Sequence, residues 1–180
     1  MSAQNTHSLL CHPASPCAGI FAVEVTANLG AQGDLALCYR LRAAPNALRL
    51  PVPRPPAFAD GLWQHTCCEL FVAVDAKKYR EFNFSPSGEW AVYDFAGYRE
   101  RIESAIPVAP QISLAQASDA VELRVLIPAA LLPGGAVLQV GLTAVLEAAD
   151  GSKTYWALAH AAAQPDFHLR QSFALTLKAS

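Results

Sequence analysis

Three consecutive stretches of this sequence decide its fold: Cys67-Cys-Glu-Leu-Phe-Val-Ala-Val74, Tyr79-Arg-Glu-Phe-Asn-Phe-Ser85 and Glu89-Trp-Ala-Val-Tyr-Asp-Phe95. Side chains alternate between the two faces of a β-strand, and each stretch has apolar residues at every second position. Residues 75–78 and 86–88 separate the stretches and are typical of tight turns, since Pro86 suits an early turn position and Gly88 the left-handed one. We therefore predict a meander of three antiparallel strands.

The remainder of the chain predicts more strands and little helix. Gly30 and Gly33 indicate a hairpin between the predicted strands at 21–27 and 34–41. The prolines between residues 45 and 62 predict a long crossing loop with a short edge piece near Leu48, because proline cannot donate to a strand ladder. The further strands are predicted at 21–27, 34–41, 111–117, 120–127, 137–146, 153–158 and 173–177.

A single all-β domain over residues 1–180 is the resulting expectation. Its predicted architecture is a two-sheet antiparallel β-sandwich of the jelly-roll or immunoglobulin-like kind. Helical structure is expected only as one turn at 128–132 and in a second candidate segment at 98–104. Residues 1–18 look like a polar arm with one short edge strand near Leu9, and residues 1–8 are expected to be flexible.

Composition and charge exclude several classes of protein. Hydrophobic residues make up 53% of the 180 residues and charged residues 16%, which is enough apolar material for the core of one domain. The net charge of −2 provides no basic surface for nucleic acid or an anionic membrane. The sequence has no apolar run of about 20 residues and no recognisable signal peptide, so a cytoplasmic location is expected. The five cysteines include no CxxC pair, and we expect reduced core thiols.

Aligning the apolar faces of the meander predicts which side chains enter the core. In the predicted register Leu70 lies opposite Phe84 and Val72 opposite Phe82, and the third strand adds its own apolar residues to the same face. The predicted core residues are Leu70, Val72, Phe82, Phe84, Trp90 and Val92.

The opposite face of the meander combines carboxylates, an amide and aromatic rings. It carries Glu69, Glu81, Asn83, Ser85 and Tyr93, with Phe71 among them. Carboxylate and amide groups hydrogen-bond to hydroxyls, and aromatic rings pack on the C–H face of a sugar, so this surface favours a polyhydroxylated ligand. An ordinary solvated face, or a face covered by the second sheet, is the structural alternative.

Three blocks of the sequence carry a family resemblance: Leu62-Trp-Gln-His-Thr-Cys-Cys-Glu-Leu-Phe-Val72, Tyr79-Arg-Glu-Phe-Asn-Phe-Ser-Pro-Ser-Gly-Glu-Trp90 and Tyr93-Asp-Phe-Ala-Gly-Tyr-Arg99. They resemble the bacterial DOMON-like domains, which are related to family-9 carbohydrate-binding modules. Three later blocks agree with this resemblance: Tyr155-Trp-Ala-Leu158, Pro165-Asp-Phe-His168 and Ser172-Phe-Ala-Leu-Thr-Leu177. The resemblance therefore covers about residues 10–178. It implies a jelly-roll-like sandwich that binds a sugar or a haem. Because we expect neither a signal peptide nor an attached catalytic domain, a role in binding secreted polysaccharide is not expected.

The resemblance also implies particular ligand-binding residues. In family-9 modules a tryptophan before a central strand stacks on the sugar and a glutamate six residues later binds its hydroxyls, a spacing that Trp63 and Glu69 reproduce. Trp156 is the candidate for a second stacking tryptophan. The predicted ligand-binding residues are therefore Trp63, Glu69, Asn83 and Tyr93, with Arg99 and Trp156 at the margins. Trp63 has a structural alternative, as a loop anchor packed on the proline-rich segment.

These observations predict a non-catalytic domain that binds a carbohydrate or a similar small polar molecule, without a cofactor or metal. A protein-interaction or structural domain is the main alternative, and the oligomeric state stays open. A glycan-active enzyme would use a carboxyl pair such as Glu69 and Glu81, and a cysteine hydrolase would need a base near Cys68, which the sequence does not place.

Haem and calcium are the cofactors weighed. Met1 is the only methionine and CxxCH is absent, so haem would need bis-histidine ligation from among His65, His160 and His168. Structural calcium is unsupported because no calcium-loop motif surrounds the acidic turn residues. These acidic residues are Asp75, Asp94, Asp119 and Asp150.

Overall fold

Strands dominate the structure, a computed structural model that describes residues 6–15 and 19–179. The helical segments in this part of the chain are three 3-10 turns of three residues each, at Leu62–Gln64, Ala129–Leu131 and Arg170–Ser172. The predicted all-β class is confirmed. The strands are β1 (Thr6–Cys11), β2 (Ile20–Leu29), β3 (Leu35–Ala43), β4 (Cys67–Ala73), β5 (Tyr79–Phe84), β6 (Trp90–Phe95), β7 (Arg101–Ile102), β8 (Gln111–Gln116), β9 (Ala120–Ile127), β10 (Val137–Glu147), β11 (Lys153–Ala157) and β12 (Leu175–Lys178).

The strands form one continuous antiparallel path, in the order β7-β6-β5-β4-β10-β11-β1-β2-β3-β9-β8, and β12 pairs with β10. Strand β1 connects the two halves of this path. Its residues 6–9 pair with β2, whereas Leu10 and Cys11 pair with β11. The predicted division into two separate sheets is thus replaced by one curled sheet, whose two halves share β1. The β2 half also contains β2, β3, β9 and β8, and the β4 half contains β7, β6, β5, β4, β10, β11 and β12.

The curled sheet encloses its main core between the two halves. Val25 and Leu123 of the β2 half belong to the same buried cluster as Leu70 and Phe82 of the β4 half. The Tyr39 hydroxyl in β3 crosses this core and donates a hydrogen bond of 2.6 Å to the main-chain carbonyl of Glu69 in β4. The other face of the β4 half points away from this core and can therefore form a binding site.

The meander of β4, β5 and β6 has the predicted faces. All six predicted core residues are buried in the main cluster, and Tyr93 lies opposite Glu81 on the other face, as predicted. Gly88 takes the predicted left-handed conformation in the second turn, with φ of 96°.

The predicted register between β4 and β5 is wrong by two residues. Leu70 lies opposite Phe82 instead of Phe84, and Glu69 lies opposite Asn83. The turn explains this difference, because the Asp75 carboxylate accepts the N–H groups of both Lys77 and Lys78 and so closes the turn tightly. A shift of two positions leaves every side chain on its predicted face.

Three short segments, at Leu48, at residues 98–104 and at β1, agree with the sequence prediction to different extents. Leu48 forms the predicted edge piece, an antiparallel bridge to Ala148. The predicted helix at 98–104 is wrong, since the short strand β7 pairs there with β6. The expected edge strand near Leu9 exists as β1 but lies inside the strand order, and Thr6–Cys11 includes residues 6–8 of the expected flexible arm. Residues 1–5 and 16–18 of that arm lie outside the described residues.

Among the described residues, no helix is both long and apolar enough to cross a membrane.

Circular dichroism tests this architecture. Because the helical segments are single 3-10 turns, we expect a far-ultraviolet spectrum of β type with less than roughly 15% helix, against an average of about a third for soluble proteins. A spectrum with helical minima as its main features would contradict the fold.

Candidate functional site

A cavity of about 370 Å³ opens on the outer face of the β4 half. Strands β4, β5 and β6 form its floor, the loop at residues 60–63 forms one rim, and the segment at residues 165–168 forms another. This volume falls within the range of small-molecule sites, about 300–1,000 Å³. Aromatic rings make up much of its wall, from Trp63, Phe71, Tyr93, Phe95, Tyr155 and Phe167.

Two glutamates of neighbouring strands face this cavity. Glu69 of β4 is 2% exposed and Glu81 of β5 is 5% exposed. Because Glu69 lies opposite Asn83 and Glu81 comes two residues earlier in β5, the two carboxyl groups are diagonal neighbours on one face. Burial and, for Glu69, the nearby Glu81 raise the pKa of both carboxyl groups above the usual value.

Few protein groups compensate these carboxyl groups. Thr143 donates one hydrogen bond to Oε2 of Glu69 at 3.2 Å, and Nδ2 of Asn83 donates one to Oε1 of Glu81 at 2.7 Å. Among the described residues, no hydrogen bond reaches Oε1 of Glu69. The pair therefore presents unsatisfied acceptors to whatever enters the cavity.

Tyr79 and His168 form a chain of polar contacts beside Glu81 in the cavity wall. The Tyr79 hydroxyl accepts the main-chain N–H of Arg99 at 3.1 Å and lies 2.8 Å from Nδ1 of His168. We assign the hydroxyl hydrogen to that contact, which leaves the proton of the neutral imidazole on Nε2, 3.7 Å from Oε2 of Glu81. Burial and the nearby Arg99 guanidinium lower the pKa of His168 to about 4, so the ring is neutral at pH 7.

Both arginines of the cavity are held by aspartates. Arg99 contacts the Asp166 carboxylate at 3.0 Å, and Arg101 contacts the Asp60 carboxylate at 3.6 Å. Asp60 also accepts a short hydrogen bond from the Tyr93 hydroxyl, and the Arg101 guanidinium lies 3.9 Å from the centroid of the Tyr93 ring. The hydrogen bond from Tyr93 and the positive charge of Arg101 lower the pKa of Asp60. These cations are thus neutralised locally.

Trp63 stands at the rim of the cavity. It belongs to the 3-10 turn Leu62–Gln64, which follows the left-handed Gly61 at φ of 73°, and its side chain is 51% exposed. A half-exposed indole beside buried carboxyl groups presents an apolar face to a ligand that enters from solvent.

The structure brings four of the six predicted site residues together. Trp63, Glu69, Tyr93 and Arg99 line the cavity. Asn83 is fully buried beneath it, where it donates to Glu81 and its Oδ1 lies 3.5 Å from the Cys67 thiol, so it can position Glu81 but does not line the cavity.

The placement of Trp156 at the margin of the site is wrong. Trp156 is 6% exposed and packs in the main core, where its indole N–H donates to Thr154. Strand alternation explains this, because Tyr155 points from β11 to the cavity and its neighbour must point away. Ten further residues line the cavity and were not among the predicted ligand-binding residues, although Phe71 and Glu81 were placed on this face. They are Asp60, Phe71, Glu81, Phe95, Arg101, Val145, Tyr155, Pro165, Phe167 and His168.

The three histidines considered for haem lie in separate settings. His65 contacts Glu147 at 2.8 Å, His160 lies 2.8 Å from the carbonyl oxygen of Leu10, and His168 contacts Tyr79 in the cavity wall. The Cys68 thiol is fully buried, and burial raises its pKa well above the usual value, so it is not poised as a nucleophile.

A larger open groove of about 1,050 Å³ crosses the outer face of the β2 half. No aromatic ring lines it among the described residues, and its Glu122 is paired with Arg40 at 3.4 Å and with Arg124 at 2.8 Å. We take the smaller cavity as the candidate site, because buried acceptors and aromatic rings converge there and not in the groove.

The fold and the site together define an all-β domain with an aromatic cavity over a buried carboxyl pair. The chain is similar in fold to a crystal structure of a "putative carbohydrate-binding protein" from Bacteroides uniformis, with a TM-score of 0.67 and 15% sequence identity. The superposition covers 98% of this chain and 87% of that one. No protein-family model and no curated protein matches the sequence.

The carboxyl pair gives a testable dependence of stability on pH. A carboxyl group whose pKa is raised by folding holds its proton more strongly in the folded state, so stability is lost as the pH rises from the unfolded value of about 4.3 through the raised value. Glu69→Gln removes this loss while its amide oxygen can keep the bond from Thr143. We expect the variant to be more stable than the wild type above about pH 6, by about 1–3 kcal/mol, the cost of a poorly satisfied buried group.

Thermal unfolding across pH measures this gain, at about 2–4 °C per kcal/mol for a domain of this size. The difference between variant and wild type should shrink toward pH 4, where the wild-type carboxyl is protonated. Glu24→Gln, the same change in the outer groove of the β2 half, is the control and should show no such trend. A Glu69→Gln variant that is less stable at every pH would show that the carboxylate is well compensated in the folded state.

Proposed function

We propose that this chain is a non-catalytic carbohydrate-binding domain that holds a small sugar in the cavity of the β4 half. The observation that carries the proposal is the convergence, in one cavity, of the half-exposed Trp63 with the buried acceptors of Glu69 and Glu81. A sugar presents hydroxyl donors and an apolar C–H face, and this cavity complements both.

Two further observations support the proposal. The similarity in fold to the Bacteroides uniformis protein agrees with it, and so does the resemblance of the sequence to DOMON-like domains, which implies binding of a sugar or a haem. Within that resemblance, Trp63 would stack on the sugar and Glu69 would accept its hydroxyls. Arg99, placed by its position in the sequence, would lie at the margin.

Binding is favoured over hydrolysis by the similar settings of the two glutamates. A glycosidase needs one protonated and one ionised carboxyl group, whose environments set their pKa values apart. Burial raises the pKa of both Glu69 and Glu81, so neither is prepared as the ionised partner, whereas two neighbouring carboxyl groups on one sheet face can bind adjacent hydroxyls.

A glycan array combined with a thermal-shift screen of mono- and disaccharides tests the proposal. We expect at least one sugar to bind and to raise the melting temperature, and binding to be weakened by Glu69→Gln and unaffected by Glu24→Gln. The absence of binding to every sugar would overturn the proposal. Turnover of a bound glycoside that Glu69→Gln abolishes would overturn its non-catalytic part.

A further inference from the structure

The charges around the cavity restrict the ligand further than its shape does. Each lining arginine has an aspartate partner, Asp166 for Arg99 and Asp60 for Arg101. His168 is buried beside Arg99 and is neutral at pH 7. No cation of the described residues is left unpaired in the lining to receive an acidic sugar.

The carboxyl pair, by contrast, has no cation of its own at bonding distance. Thr143 and Asn83 give Glu69 and Glu81 one hydrogen bond each, and the nearest ring nitrogen of His168 is 3.7 Å from Glu81. A neutral ligand that closed this cavity would remove water from both carboxyl groups and supply no charge in return, which is costly for either group when it is ionised.

Aromatic rings surround the same space. Phe71 lines the cavity together with Glu69 and packs against Phe167 at 6.5 Å between ring centroids, while the half-exposed Trp63 stands at the rim. The faces of such rings attract cations, most strongly where water is excluded. A carboxyl pair among aromatic rings is therefore a setting for a protonated amine.

We propose that the ligand of this cavity is an amino sugar, whose ammonium group is received by Glu69 and Glu81 while its ring lies against Trp63. This inference rests on the proposed function and narrows its ligand class. The ammonium donates to the acceptor oxygens that the protein leaves open, including Oε1 of Glu69. It brings a positive charge into direct contact with the pair, which Arg99 and Arg101 influence only from a longer distance.

Matched sugar pairs test the inference. Glucosamine, galactosamine and mannosamine are each compared with glucose, galactose and mannose by isothermal titration calorimetry at about pH 6.5, where an amine with the pKa of an α-amino group, about 7.7–8.0, is protonated. We expect the amine to bind at least about tenfold more tightly than its hydroxyl partner, which corresponds to 1.4 kcal/mol. N-acetylglucosamine, which has the nitrogen without the charge, should behave like the neutral sugar.

Proton release provides a second readout. A cation that docks on a protonated carboxyl pair displaces a proton, so the calorimetric enthalpy for the amine should vary with the ionisation enthalpy of the buffer. Glu69→Gln should reduce both the preference for the amine and the proton release, and Glu24→Gln should leave both unchanged.

The outcomes separate this inference from the function on which it rests. Equal binding of a neutral sugar and its amine partner would overturn the amino-sugar inference and leave the carbohydrate-binding proposal standing. A preference for the amine that persists in Glu69→Gln would also overturn the inference. If neither member of any pair binds and the glycan array is blank, the carbohydrate-binding proposal itself fails.

Discussion

Replacement of Phe84 by alanine is expected to lower the free energy of unfolding by about 3–5 kcal/mol, the range for loss of a buried phenylalanine. The Phe84 side chain is fully buried, lies opposite Cys68 on one side and Trp90 on the other, and has its ring centroid 6.1 Å from that of Phe82. Truncation would leave a cavity at the centre of the meander, which the neighbouring strands cannot close without breaking their register.

Urea denaturation measures this loss, and Phe21→Ala is the matched control. Phe21 lies in β2 with 66% of its surface exposed, so the same truncation should change stability by less than about 0.5 kcal/mol. If Phe84→Ala also stayed within about 0.5 kcal/mol of the wild type, the assignment of the core face would be wrong, and with it the location of the cavity on the opposite face.

Replacement of Trp63 by alanine is expected to weaken sugar binding by tenfold or more, about 1.4 kcal/mol or greater, while the melting temperature hardly changes. The reason is its position, since the side chain is 51% exposed at the rim of the cavity and contributes little to the core. Trp63→Phe keeps an aromatic face and should retain much of the affinity.

Calorimetric titration of each Trp63 variant, together with its thermal unfolding, separates stacking from anchoring. If Trp63 were an anchor for the proline-rich loop, Trp63→Ala would instead lose about 3 kcal/mol of stability. A variant that unfolds at a much lower temperature and binds sugar with unchanged affinity would exclude the stacking role.

Strand alternation made much of the β4 half predictable from the sequence. The two-residue period assigned Leu70 and Phe82 to the core and Glu69 and Glu81 to the other face, and the structure agrees. The same period cannot distinguish registers that differ by two residues, because both keep every side chain on its face. The hydrogen bonds of Asp75 in the turn decide that choice.

Several missed residues of the site come from loops and from a distant strand. Asp60 and His168 reach the cavity from segments that are far apart in the chain, and no periodic pattern connects them with β4. Trp156 was assigned by resemblance alone, whereas the alternation of β11 would have favoured its neighbour Tyr155 for the cavity. Strand alternation thus placed Glu69, Glu81 and Tyr93 on the cavity face, whereas the loop residues Asp60 and His168 required the tertiary structure.

Nuclear magnetic resonance of the tryptophan indoles tests most directly the claim that a sugar binds in the cavity of the β4 half. The chain has three tryptophans, of which Trp63 is half-exposed at the cavity, while Trp90 is 9% exposed and Trp156 is 6% exposed. During titration with a sugar that binds, we expect the indole signal of Trp63 and the amide signals around Glu69 and Glu81 to shift together. An unchanged Trp63 signal, with shifts confined to the outer groove around Cys38 and Arg124, would contradict the account and place the ligand on the β2 half.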